Sequence, residues 1–360
     1  MNSGYFHRVT NSTPTRVWVN NPAGSEIQKA IEAGAESSTT NPSYCSKVIV
    51  KEPDYLCHLI DRAVEETEDN NIAAEQVYQT AAKRVVDAFL PLYERSAGAF
   101  GFVTMQGDPR LDKNPDAIVR EALRFREMGP NVMAKIPVTR AGIRALEILV
   151  GEDLPLCATE IFSVSQAVQM GQVYKFAAAR TGKHPPFYVT HITGIFDQLF
   201  QETARNEDLG IPPAILQQAG CIIARKEYRV MRQKGLPGTL LGGGARGLLH
   251  FTEMVGGDLA VTLNWSTMDD LIREDGPVVP RFDADAHESD IELLCKRLPN
   301  FRRAFEEAAL HDEEYEDFGP VVLFRTQFLN GYTRILDAVA DRRLMRKVLQ
   351  SPRIFGETES

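Results

Sequence analysis

Short apolar runs alternate along the chain with longer stretches in which apolar residues recur at helical spacing. Residues 16–20 alternate like a short strand, and Pro22 and Gly24 punctuate the chain before a helix from about residue 25. A second strand over 35–41 precedes two helical patterns, at about 54–68 and 74–94. A third strand over 100–105 leads to a helix that Pro115 opens and that runs to about 128. The fourth strand, 131–139, is followed by a helix over 140–150, and the fifth, 156–162, by one over about 165–180. Strand six covers 187–192, before a mostly helical excursion over 196–234 broken by Pro212-Pro213. Strands seven and eight cover 239–241 and 259–264. Eight strands alternating with helices predict an α/β fold, a (β/α)8 TIM barrel over about 16–275, rather than an open sheet. Residues from about 286 to 350 read as additional C-terminal helices with a charged break at 311–317, and no repeat or linker divides the chain, so one domain over 1–360 is expected.

One position breaks the pattern. In the fourth strand, Asn-Val-Met-Ala-Lys-Ile-Pro-Val-Thr, a single lysine sits among apolar residues. Strand alternation sends Val132, Ala134 and Ile136 to one face and Met133, Lys135 and Pro137 to the other. A buried ammonium is disfavoured, so burial lowers the lysine pKa and frees a nucleophilic amine of the kind that Schiff-base chemistry uses. The competing reading is a strand-end lysine that snorkels to water.

Composition narrows the classes. The 360 residues are 43% hydrophobic and 25% charged, ordinary for a globular protein with a large core. A net charge of −9 argues against nonspecific binding to nucleic acid or to an anionic membrane. Neither an N-terminal signal core nor a membrane-spanning run is evident. The five cysteines (Cys45, Cys57, Cys157, Cys221, Cys295) form neither a CxxC pair nor a metal pattern, which suggests a reduced, cytoplasmic protein.

In such barrels the chemistry gathers at the C-terminal strand ends, where Asn41, Gln106, Lys135, Thr159, Thr190 and Arg246 all fall in this reading. Four motifs lie in order around them: Thr39-Thr40-Asn41-Pro42-Ser43, Asp108-Pro109-Arg110-Leu111, Gly129-Pro130-Asn131-Val132 leading into Lys135-Ile136-Pro137-Val138-Thr139, and Thr159-Glu160-Ile161-Phe162-Ser163 followed by Gln166. With these motifs the chain resembles the transaldolase family over most of residues 16–350, and Phe324-Arg325 with the helix after it resembles the family's closing helix.

The resemblance implies a class I aldol mechanism in which Lys135 condenses with a ketose and C–C cleavage leaves an enamine. It implies that Asn41, with Thr39 beside it, holds substrate hydroxyls, that Thr159 positions a catalytic water, and that Thr190 and Ile192 line the pocket. Arg246 falls at a phosphate-binding arginine, with Gly244 and its neighbours able to add backbone N–H groups. A tight, closely packed turn explains Gly242 to Gly244 equally well. No cofactor or metal is called for, since the lysine itself supplies the electron sink. The partner implied is a small carbonyl or sugar substrate, and a homodimer is in keeping with the family.

The departures are informative. Where the family carries an acid on strand one, this chain offers Asn20 or Asn21, with Asn21 the better alignment. Where it carries a glutamate before Asp-Pro-Arg, this chain has Gln106, as the related fructose-6-phosphate aldolases do. An amide is no general acid or base. The family's strand-five Asn becomes Cys157, read as pocket lining only, and its second phosphate-binding arginine becomes Ile195. By alternation Glu160 and His191 face the helices on neighbouring strands. They either form a buried pair there, or one of them reaches the rim and substitutes for the lost acid. Two functions remain: a Schiff-base aldolase or transferase with a non-standard substrate, or a catalytically silent barrel that binds a sugar-like ligand.

Overall fold

The computed structural model describes residues 4–350. Eight parallel strands close into a barrel in sequence order: β1 (Arg16–Asn20), β2 (Ser37–Thr39), β3 (Val103–Met105), β4 (Val132–Pro137), β5 (Leu156–Ile161), β6 (Phe187–His191), β7 (Thr239–Gly242) and β8 (Ala260–Asn264). Closure pairs β1 with β8, with Asn20 opposite Asn264.

Alternation works as expected in the lysine strand. Met133 joins Trp18, Phe102, Cys157, Leu241 and Ala260 in an apolar plug that fills the lower barrel. Ala134 and Ile136 face the other way, into the core beneath the surrounding helices. Lys135 is two residues beyond Met133 on the lumen face, directly above that plug.

The helices that follow β4 and β5 start at side-chain caps. Thr139 Oγ1 accepts from the Gly142 N–H at 3.0 Å, and Ser163 Oγ accepts from the Gln166 N–H at 3.2 Å. Each cap satisfies a backbone donor at a helix start that would otherwise lack a partner, and such a cap contributes about 1 kcal/mol.

Three elements were not foreseen. The polar lead-in forms a helix, Tyr5–Ser12, which buries Tyr5, Phe6 and Val9. Its apolar residues are few, but Phe6 packs edge-on against Phe251 with ring centroids 5.2 Å apart. A further helix, Tyr44–Lys51, follows the Asn41-Pro42 turn, and the second strand shortens to three residues. The helix Trp265–Glu274 completes the last βα unit.

The C-terminal part comprises Glu288–Arg297, Pro299–Phe305, a 3-10 turn at Asp312–Asp317 and a long closing helix, Gly319–Gln350. The closing helix crosses the barrel mouth, anchored on the Asn41-Pro42-Ser43 turn. Ser46 Oγ donates to the Gly331 carbonyl at 2.7 Å, and a side chain at Gly331 would collide with Ser43, whose Oγ lies 2.3 Å from where its Cβ would stand. The Asp-Pro-Arg loop fastens the same helix: Arg325 pairs with the buried Asp112, Nη2 to Oδ1 at 2.9 Å, and Arg110 stacks over Tyr332 at 5.2 Å. Among the described residues no helix is long and apolar enough to cross a membrane.

Candidate active site

Beneath the closing helix lies a cavity of about 140 Å³, lined by strand-end residues from much of the barrel and by Phe324, Gln327 and Phe328 of the closing helix. Lys135 lies at its base, 5% exposed. Its Nζ makes no hydrogen bond or ion pair among the described residues, and the Phe328 ring centroid stands 5.7 Å away. Burial therefore lowers the lysine pKa, and the nearby Cys157 and Glu160 only partly oppose the effect. The snorkelling alternative is excluded, because the amine stays inside.

One side of the cavity carries a polar belt. Asn20 Nδ2 donates to Asn264 Oδ1 at 2.9 Å, and Thr39 Oγ1 donates to Asn20 Oδ1 at 2.9 Å. Thr39 and Thr262 hydroxyls are 2.8 Å apart, so Thr262 supplies the proton between them. Asn41 Oδ1 accepts the Ser43 N–H at 3.0 Å, which leaves its Nδ2 available as a donor.

Of the two asparagines, Asn20 lines the cavity and Asn21 does not. Asn21 lies in the turn after β1 at φ 46°, buried, with Oδ1 unpartnered. Alternation held the signal: Trp18 is in the lumen, so Asn20 must be too. Thr39, Asn41, Thr190, Ile192, Gly244 and Arg246 all reach the cavity as the motifs suggested. Cys157 lies below, pairs across the strand register with Lys135, and has its Sγ 3.0 Å from Thr190 Oγ1. Ile195, where the family has its second arginine, is fully buried in the apolar core.

The rim after β7, next to the belt's β8 residues, carries Arg246. It is exposed at the edge, with Nε on Gln198 Oε1 at 3.2 Å and no acidic partner among the described residues. Its backbone N–H donates to His250 Nδ1 at 2.9 Å, so the imidazole proton is on Nε2 and goes to the buried Asp197 Oδ2 at 2.9 Å. Asp197 also accepts the Gly220 N–H at 2.5 Å. This chain, which the sequence reading missed because its members are about 50 residues apart, fixes the loop that presents Arg246. Gly244 permits the loop's shape, with φ at 67° and Ile192 Cγ2 only 2.7 Å from where a Cβ would stand.

The expected Glu160–His191 pair does not form. His191 does face the helices, where its Nδ1 meets Glu227 Oε1 at 2.9 Å with both side chains fully buried. Glu160 takes a different direction. Its φ is 65°, and the β5–β6 register shifts between Ala158 and Ile161. A left-handed non-glycine costs of order 1–3 kcal/mol and persists only where its surroundings hold it. Gln166 supplies that hold: its Nε2 donates to the Glu160 carbonyl at 3.2 Å, while its Oε1 accepts the Phe162 N–H at 2.9 Å. The bulge thus cancels the alternation, and Glu160 Oε1 accepts from Gln106 Nε2 at 3.1 Å. Burial, with Asp112 nearby, pushes the Glu160 pKa up to about 7, against the pull of Gln106, Lys135 and Arg325. Beside this pair, Thr159 is completely buried with its hydroxyl unpartnered.

The site thus combines a buried amine, a belt of amide and hydroxyl side chains, and a rim arginine with no acidic partner among the described residues. Residues 17–314 match the family described as Transaldolase/Fructose-6-phosphate aldolase. A transaldolase of Mycobacterium ulcerans is 27% identical over 207 residues, 54% of each chain. One from Thiobacillus denitrificans is 31% identical over 153 residues, 42% of each, and one from Prochlorococcus marinus is 27% identical over 257 residues, 69% of this chain and 72% of the relative. The chain spans about half the length of the mycobacterial relatives it matches. With the family matched over most of its length, this chain belongs to the transaldolase and fructose-6-phosphate aldolase family.

Proposed function

We propose that the protein is a class I aldolase of the transaldolase type, which makes or breaks a C–C bond of a ketose or related carbonyl compound through an imine on Lys135. The observation that carries this reading is the amine itself: buried at the base of a polar cavity, without an ion-pair partner among the described residues, and with its pKa lowered by burial. A neutral amine is what attack on a carbonyl needs. Asn20, Thr39 and Asn41 then bind substrate hydroxyls, Thr159 holds the water released in dehydration, and Thr190, Ile192 and Cys157 shape the wall. Arg246 takes a single anionic group. With Ile195 where a second arginine would be, the site favours singly charged or unphosphorylated substrates over the family's usual sugar phosphates.

The test is borohydride trapping with dihydroxyacetone, fructose 6-phosphate and an unphosphorylated ketose, read by intact mass and peptide mapping. An adduct on Lys135, absent from Lys135→Ala, supports the proposal. No adduct with any donor on a folded sample would overturn it in favour of a catalytically silent, ligand-binding barrel.

A further inference from the structure

The family's two proton-handling carboxylates are amides here, at Asn20 on the first strand and at Gln106, yet a carboxylate stands in the same neighbourhood on a different strand. Glu160 is 1% exposed and Gln106 3%. Gln106 Nε2 donates to Glu160 Oε1, so the amide just after β3 and the carboxyl of β5 meet across the end of β4, the strand that carries Lys135. Three polar atoms around this bridge have no partner among the described residues: Glu160 Oε2, Gln106 Oε1 and Thr159 Oγ1. Buried polar atoms are nearly always satisfied, and a cluster of exceptions beside a nucleophilic amine points to a ligand or reacting group. The bulge that aims Glu160 inward is held by the conformation of the Thr-Glu-Ile-Phe-Ser segment through Gln166, so the direction is built in.

We infer that Glu160 is the general acid and base of the aldol step, held beside Lys135 by Gln106, and that this chain has moved the family's catalytic carboxylate from strand three to strand five. The inference rests on the Schiff-base reading above. In cleavage, the Glu160 carboxylate takes the proton from the hydroxyl on the carbon β to the iminium carbon. The O–H pair becomes the second bond of the departing aldehyde carbonyl, the Cα–Cβ bond breaks, and its electron pair forms the enamine, neutralising the iminium nitrogen. The carboxyl then returns its proton to the enamine carbon, or to the alkoxide when a second aldehyde adds. The carboxylate is thereby regenerated.

The charged groups that face Glu160 are Lys135 from β4, Asp112 from the loop after β3 and Arg325 from the closing helix. Together with burial they leave a carboxyl that titrates close to neutrality, as a group that both accepts and returns a proton requires.

The experiment uses the full chain with dihydroxyacetone in D2O and follows deuterium entry at the α carbon by NMR, alongside borohydride trapping on Lys135. The parent is expected to form the adduct and to exchange. Glu160→Gln should still form the adduct, which also reports an intact fold, but should exchange roughly 100-fold more slowly or less and lose the inflection near pH 7. Glu160→Gln combined with Gln106→Glu, which puts a carboxylate back on strand three, should recover part of the rate. Exchange by Glu160→Gln within threefold of the parent overturns the assignment. So does loss of the adduct in a variant that still melts cooperatively, since that places Glu160 in imine formation instead. A parent that gives the adduct without exchange overturns the proton step alone, whereas a parent with no adduct overturns the Schiff-base reading itself.

Discussion

The ring of Phe328, on the closing helix, stands 5.7 Å from the Nζ of Lys135, on the fourth strand. Two opposed effects meet there. The π face favours the ammonium, and for a desolvated cation such a contact is worth about 2 kcal/mol, less near the roughly 6 Å limit. Exclusion of water favours the neutral amine, and burial is the largest influence on Lys135, holding its pKa below the ordinary value. Exclusion wins, so the Lys135 pKa stays lowered, and Phe328 is part of the cover that keeps water out. Phe328→Ala is expected to admit water and return the lysine toward its ordinary pKa, moving the pH midpoint of borohydride trapping upward, while Phe328→Leu leaves it near the parent's. A midpoint unmoved in Phe328→Ala would remove the ring from this role.

The same burial sets a stability prediction for Lys135→Met. In the folded state the lysine pKa lies below the ordinary 10.5. Between the two values the unfolded chain binds more protons, so stability rises with pH across that window. The destabilisation due to the lysine is therefore fully present below the folded pKa and disappears above about 10.5. Lys135→Met should melt at a higher temperature than the parent at pH 7, with the gap narrowing as pH approaches 10. Thermal scans across pH check this, and a gap independent of pH would mean that packing rather than charge sets it.

How much of this was legible in the sequence depends on how local each signal is. The barrel was readable because eight strand-helix units each carry their own periodicity, and Lys135 because alternation ties it to Met133. Glu160 was misdirected for the reason alternation usually works: the rule assumes an unbroken strand, and a residue at φ 65° cancels it. The partners Glu227 for His191 and Asp197 for His250 are set by how helices pack outside the barrel, which no short-range pattern encodes. The Tyr5–Ser12 helix does carry an apolar face of Tyr5, Phe6 and Val9, but so short a stretch reads as a polar lead-in, and its place comes from packing against Phe251.

Gly244 offers a test of the loop that presents Arg246. A left-handed backbone costs a non-glycine residue about 1–2 kcal/mol, and the new Cβ would also press on Ile192 Cγ2. Gly244→Ala should lower stability by about that amount. Relief of the clash moves Ile192 or the loop, so affinity for inorganic phosphate should fall as well. Calorimetric melting and phosphate titration read the two effects separately. Full stability together with full phosphate affinity would mean the loop tolerates the side chain.

Arg246 decides whether the site reads a phosphate at all. It is exposed at the rim and faces no carboxylate among the described residues, and its backbone is tied through His250 to Asp197. A hydrogen bond to a charged group is worth about 1.5–3 kcal/mol, or roughly 10- to 150-fold in affinity. With Ile195 buried in the core, no second arginine at that position makes up the loss. Arg246→Gln is therefore expected to weaken binding of fructose 6-phosphate by about that factor and to leave an unphosphorylated ketose within about twofold of the parent. Trapping yields measured against donor concentration give both numbers. A uniform loss across the two donors would show that Arg246 supports the shape of the pocket, and the anionic end of the substrate would then have to be sought at another part of the rim.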